Sequence, residues 1–170
     1  MTTPREVKMG KFGIGQPVPR TEDPRLLRGG GQFGDDYELA RQAHGYILRS
    51  PHAHAEINQI DTNAAKSAAG VVAVLSGEDW TAEGFGIFPV LVPRQQRNGE
   101  PMPPGTREPL ATNRVRLVGD DVAFVVAETL EQAKDAAELI EIDYKTLSSV
   151  TLTTEAKKPG TPAVWDDCPY

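Results

Sequence analysis

One hundred and seventy residues suffice for one domain with a hydrophobic core of its own, which removes any need for a disulfide-stapled miniature fold. Apolar residues make up 39% and charged residues 25%, away from the composition of chains that stay disordered. Eighteen Lys and Arg against 24 Asp and Glu give a net charge of −6, which repels phosphate and excludes counterion-release binding to nucleic acid.

Sixteen glycines and 14 prolines exceed the roughly 12% of average usage and predict long turns and loops. They crowd the first 40 residues, read as an extended arm: Gly10, Gly13, Gly15, Pro17, Pro19, Pro24 and Gly29-Gly30-Gly31. One compact feature is expected there, a helical turn at Thr21–Leu27 capped by a Thr or Asp, with Pro24 near its first position. The body, residues 41–153, opens with strands at Gln42–Arg49 and Ala55–Asp61, separated by Ser50-Pro51-His52-Ala53-His54. Asp61 or Thr62 caps a two-turn helix over Ala64–Ala69, and Gly70 stands where a left-handed residue ends it. A β-branched strand follows at Val71–Leu75, then a capping box, Ser76 to Asp79, opening a turn around Trp80.

Between Thr81 and Thr112 six prolines interrupt any long element, which predicts a functional or mobile loop. Arg114–Val118 and Val122–Ala127 flank Gly119-Asp120, the signature of a two-residue hairpin. Thr129 to Gln132 is a second capping box, and Leu130, Ala133, Ala137 and Ile140 recur at helical spacing. A strand at Glu141–Tyr144, an edge piece at Val150–Leu152 and a helical turn at Thr154–Lys157 lead into a tail over residues 154–170. Strand-helix-strand units at 55–76 and 122–144 place the fold in the α+β class with mixed layers.

Cys168 has no partner in the chain, so an internal disulfide and a cysteine-rich metal site are excluded and a reducing, cytoplasmic setting is the default. No apolar run approaches the roughly 20 residues of a membrane span. Nor does the cationic start precede an apolar segment, so no targeting signal is read.

Each candidate for chemistry has a plainer structural reading. His52 and His54 are close enough to share a metal, yet no further ligand is specified, so a turn-stabilising role is preferred and a metal or small-ligand module is the alternative. The glycines of Gly10–Gln16 and Gly29–Gly31 neither follow a strand nor open a helix, as a phosphate cradle must. Asp35-Asp36 and Asp166-Asp167 lack the alternating oxygen ligands of a calcium loop. Ser50, Ser67, Ser76, Ser148 and Ser149 lack a nucleophile-elbow context, which leaves a hydrolase unsupported, and Cys168 has no adjacent base. Trp80, Phe85, Phe88 and Trp165 suit either an interface or the core. Arg94, Arg97, Arg107, Arg114 and Arg116 suit contact with an acidic neighbour or a solvated face. No catalytic, cofactor-binding or metal-binding residue is assigned.

Gly15-Gln16-Pro17-Val18-Pro19-Arg20-Thr21-Glu22-Asp23-Pro24-Arg25-Leu26-Leu27, then Arg49-Ser50-Pro51-His52-Ala53-His54-Ala55, resemble the start of the molybdenum hydroxylase large subunit. That family comprises the xanthine dehydrogenases, aldehyde oxidases and carbon monoxide dehydrogenases. The likeness continues in order through Pro109–Arg116, Val125–Thr129, Ala133–Leu139 and Ile142-Asp143-Tyr144. It implies the N-terminal α/β-hammerhead domain of the molybdopterin-binding subunit. It also implies that the cofactor segments lie outside these residues, that the chain alone is inactive and binds no cofactor, and that it is a truncated gene, a split subunit or a single domain. The implied partners are the cofactor-binding part of the large subunit and the iron-sulfur and flavin subunits. Two departures stand out. Gly119-Asp120-Asp121 replaces a Gly-Glu-Pro-like turn, and Glu38–Gln42 lacks a Leu-Pro-Gly run, which affects turn detail and partner contact.

Overall fold

The computed structural model describes residues 19–89, 91–92, 94–96, 99–102 and 107–165. They form two compact units that divide between Ala40 and Arg41. In the first unit, helix α1 (Asp23–Leu26) has Pro24 in its first two positions, as expected. Its N-cap, however, is Glu22 without a side-chain bond, in place of the Thr or Asp cap. Gly29, at φ +73°, ends the helix: its N–H and that of Gly30 donate to Leu26 O and Arg25 O. A 3-10 turn at Gly34–Asp36 follows, closed by the Phe33 N–H on the Asp36 carboxylate at 2.7 Å.

The second unit is built on two three-stranded antiparallel sheets. Strands β1 (His44–Arg49) and β3 (Val71–Ser76) flank the central β5 (Asp121–Ala127). In the other sheet β4 (Arg114–Val115) and β6 (Glu141–Thr146) flank the central β2 (Ala55–Asp61). Helices α2 (Asn63–Lys66), α3 (Gly77–Ala82) and α4 (Leu130–Glu138) follow β2, β3 and β5. Both strand-helix-strand units therefore pass from one sheet to the other, because β2 and β3, like β5 and β6, belong to different sheets. This is the mixed α+β architecture expected from the sequence.

Core composition explains the layering. Ala123, Val125 and Ala127 of β5 are wholly buried together with Ala133, Ala136 and Ala137 of α4. Small side chains on both surfaces let helix and sheet approach closely, while Leu130 stays partly exposed. A second cluster joins Ala55, Ala111, Val115 and Val122, and the cross-strand pair Ile60 and Ile142 packs against both clusters. On the other face of β5, the Phe124 ring occupies the space left by Gly45, where a Cβ would stand 2.6 Å from Cζ.

Both capping boxes form as read. Thr129 Oγ1 accepts the Gln132 N–H and Gln132 Oε1 accepts that of Thr129. At α3, Ser76 Oγ accepts the Asp79 N–H, and the Asp79 carboxylate accepts both the Ser76 N–H and O–H at 2.7 Å. Those two bonds from Ser76 hold the Asp79 carboxyl below its ordinary value of 3.8. A carboxyl depressed in the folded state stabilises it above the unfolded pKa and loses that contribution as pH falls through the folded one. Asp79→Asn should therefore lower the thermal midpoint near neutrality and flatten its fall below about pH 4, so that variant and wild type converge in acid. Identical acid limbs for variant and wild type in circular dichroism melts would refute the assignment.

Four expectations are corrected. Gly119-Asp120 does turn the chain, with Gly119 at φ +91°, but Arg114–Val118 and Val122–Ala127 do not form a hairpin. The turn's groups are engaged elsewhere: Gly119 N–H donates to Ser50 O and Ser50 N–H to Asp120 O, each at 2.8 Å. The Asp120 carboxylate accepts the N–H groups of Arg116 and Leu117, so β4 ends at Val115 and pairs with β2. Helix α2 is one turn, not two, because Ser67 Oγ donates back to Asn63 O and the following N–H groups tighten to i−3 acceptors. Its start is held as foreseen by Asp61, whose Oδ1 accepts the Asn63 N–H. Residues 150–152 form no strand, and Leu152 is left 57% exposed. Residues 154–157 form successive turns instead of a helix.

Candidate functional site

The turn between β1 and β2 is a lock within the chain. Ser50, nearly buried, donates its hydroxyl to His52 O and accepts the His52 N–H. The His52 ring meets Tyr144 edge-on at 4.8 Å and 64°. Burial pushes the Tyr144 hydroxyl above its ordinary value. His54 is 5% exposed, and since a carbonyl only accepts, its Nδ1–H donates to Ser148 O at 2.9 Å. Its Nε2 is buried. Leu147 N–H donates to His54 O, fastening the end of β6 to the same turn. The two imidazoles thus have separate packing duties, and no group of three His, Cys, Asp or Glu among the described residues converges as a metal site.

The other candidates are likewise placed in structural roles. Gly29 and Gly30 terminate α1, and Gly31 packs on Leu26. Gly77 faces the backbone of Leu110 and Ala111. At Gly30, Gly31, Gly45, Gly70 and Gly77 the chain's own atoms fill the space that the missing side chain leaves. Asp36 closes its own turn, while Asp35 is exposed beside it. Ser76 is a helix cap and Ser67 bonds to backbone. Trp80 donates Nε1–H to Gly86 O and tilts against Phe85 at 4.7 Å. Arg94 belongs to the long loop, its carbonyl accepting the Met102 N–H. Gly10–Gln16, Arg97, Asp166-Asp167 and Cys168 lie outside the described residues.

Three of the clustered arginines do meet. Arg107, Arg114 and Arg116 line a cavity of about 700 Å³ with Arg49 from β1, Phe88 from the long loop and Trp165. Four carboxylates also line it, each already engaged. Glu56 lies 2.9 Å from Lys145 and 3.4 Å from Arg114. The Lys145 bond and charge, with help from Arg114, lower the Glu56 carboxyl below its ordinary value of 4.5. Asp121 pairs with Arg49 at 2.6 Å, Asp120 holds its two backbone N–H groups, and Glu108 accepts the N–H and hydroxyl of Thr112. The Arg116 guanidinium lies 4.1 Å over the Trp165 ring. Arg49, Glu56 and Asp121 escaped the sequence reading as site residues, since the pairings of β2 with β4 and β1 with β5 are what bring them to the arginines.

Comparisons with known proteins agree with this fold. Residues 28–148 match the family model described as aldehyde oxidase and xanthine dehydrogenase, a/b hammerhead domain. The chain is 36% identical over 155 residues to the carbon monoxide dehydrogenase large chain of Afipia carboxidovorans, covering 91% of this chain and 18% of that one. It is 39% identical over 137 residues to the nicotine 6-hydroxylase large subunit of Paenarthrobacter nicotinovorans, covering 81% of this chain and 16% of that one. Among solved structures, a Cu,Mo-CO dehydrogenase superposes with a TM-score of 0.71 at 36% identity, over 88% of this chain and 18% of that chain. The aldehyde oxidoreductase of Desulfovibrio desulfuricans shares the fold, with a TM-score of 0.72 at 23% identity over 91% of this chain and 17% of that chain. The chain thus spans less than a fifth of these relatives. With the matched model covering most of its length and both sheets in place, it belongs to the a/b hammerhead domain family of the aldehyde oxidases and xanthine dehydrogenases, the molybdenum hydroxylases.

Proposed function

We propose that this chain is a non-catalytic scaffold and interaction domain of a molybdopterin-dependent oxidoreductase of the xanthine dehydrogenase, aldehyde oxidase and carbon monoxide dehydrogenase type. In this reading residues 1–40 are an arm, 41–153 the hammerhead body and 154–170 a linker, working in the cytoplasm. The partner is the cofactor-binding part of the large subunit, with iron-sulfur and flavin subunits completing the enzyme. One observation carries the reading. Of 19 exposed large apolar residues among those described, 11 fall within residues 26–39 and 85–102. Apolar surface concentrated in this way marks surface that a partner covers.

The domain supplies shape and contact, and electron transfer belongs to the partners. Coexpression with the molybdopterin-binding subunit from the same source should give a complex stable to gel filtration, in which both segments gain protection from protease. The chain purified alone should carry no molybdenum and show no dye-coupled turnover. Stoichiometric molybdenum on the isolated chain, or unchanged cleavage of both segments in the complex, would overturn the proposal.

A further inference from the structure

The cavity between β2, β4 and the long loop has a chemistry that a purely structural cleft does not need. Arg49 and Arg114 are matched by Asp121 and Glu56. Arg107 and Arg116 have no carboxylate partner among the described residues. Among the described residues, the Arg116 guanidinium hydrogen-bonds only through Nη1, to Arg114 O at 3.5 Å, and its Nε is buried without an acceptor. A guanidinium favours a planar, two-pronged acceptor, because its parallel N–H donors match the two oxygens of a carboxylate. Phe88, Leu117 and Trp165 add apolar wall to the same cavity.

We propose that this cavity is a receptor for a singly charged carboxylate carried on an apolar or aromatic body, gripped by Arg107 and Arg116 with the body against Phe88 and Trp165. Charge count separates this ligand from phosphate. Glu56, Glu108, Asp120 and Asp121 balance the four arginines in the walls, so a second negative charge gains no net attraction while costing more to desolvate, and phosphate has no apolar body to set against Phe88 and Trp165. The volume of about 700 Å³ admits a small aromatic acid or a carboxylate side chain of a polypeptide. The inference rests on the cavity alone and does not depend on the assembly role proposed above.

The test is a titration of the 170-residue chain with benzoate, with inorganic phosphate, and with a doubly capped peptide holding one glutamate beside one phenylalanine, followed by calorimetry and tryptophan fluorescence. Because Asp166 and Asp167 follow Trp165 directly in the sequence, each titration is repeated in an Asp166→Asn, Asp167→Asn background to remove a competing carboxylate. Saturable 1:1 binding of benzoate or the peptide is expected, weakening with salt. Phosphate should bind more weakly than either. Tighter binding of the peptide assigns a polypeptide source for the carboxylate, and tighter binding of benzoate a free acid. Arg107→Gln and Arg116→Gln should each lower affinity about tenfold or more, and Lys134→Gln, on the outer face of α4, should leave it unchanged. Arg107 is exposed, so its variant keeps the test valid if the Arg116 variant fails to fold. Absence of carboxylate binding in both backgrounds, affinity indifferent to Arg107→Gln, or phosphate bound more tightly than both carboxylates would overturn the proposal.

Discussion

Replacing Ala136 by aspartate should leave the chain without its native fold at 25 °C. Ala136 is wholly buried in the cluster that joins α4 to β5, beside Ala133 and Ala137 and across from Ala123, Val125 and Ala127. A carboxylate placed there loses its hydration and finds no cation, at a cost of several kcal/mol. Domains of this size hold about 5–15 kcal/mol in total, so that cost is a large share of the whole. Ala136→Leu tests the same packing without charge. It adds volume where helix and sheet approach over alanines, and should cost about 1–3 kcal/mol, lowering the thermal midpoint by roughly 2–4 °C per kcal/mol. Lys134→Gln, on the exposed face of the same helix, should stay within about 0.5 kcal/mol of wild type. Far-ultraviolet circular dichroism and urea unfolding report all three. A cooperative, near-wild-type transition for the aspartate variant would show that α4 does not seal this core.

The elements most legible in the sequence are those fixed by local chemistry. Strand β2 runs from Ala55 to Asp61 as read, and both capping boxes sit where Ser76, Asp79, Thr129 and Gln132 place them. Their hydrogen bonds close within three residues, so nothing distant decides them. The turn at Gly119-Asp120 marks the limit of such reasoning. Its dipeptide predicts a turn, and a turn forms, yet Ser50, some 70 positions earlier, takes the backbone groups that a hairpin ladder requires. Val115 and Val122 share a core cluster while their strands belong to different sheets. Alternation of apolar residues reports burial and leaves the choice of pairing partner open. The cavity shows the same division. Arg107, Arg114 and Arg116 are visible as a cluster in the sequence, whereas Arg49, Glu56 and Asp121 join them only through strand register. The stacking of Arg116 on Trp165 spans 49 positions with no local pattern to announce it.

Substituting aspartate for Leu27 or Leu91 should cripple assembly while sparing the fold. These two side chains are 87% and 85% exposed, one in the first unit and one in the long loop. Leu91 lies away from caps and core, where substitution shifts stability by no more than about 0.5 kcal/mol, and Leu27, the C-cap of the one-turn α1, adds only the small cost of a carboxylate at a helix C-terminus, so both variants should stay folded with thermal midpoints near wild type. Association is a different matter. If these residues anchor the contact with the molybdopterin-binding subunit, a carboxylate at either position is buried unpaired in the complex. The loss expected at such an anchor is about 2 kcal/mol or more, roughly thirtyfold in affinity for each variant. Leu130→Asp supplies the contrast. Leu130 is 37% exposed at the start of α4, outside both apolar segments, where a carboxylate interacts favourably with the helix N-terminus. It should assemble as wild type does. Surface plasmon resonance against the immobilised partner subunit, with melting curves taken in parallel, separates folding from binding. Wild-type affinity in both the Leu27→Asp and Leu91→Asp variants would remove the apolar segments from the interface and with them the observation on which the scaffold role rests.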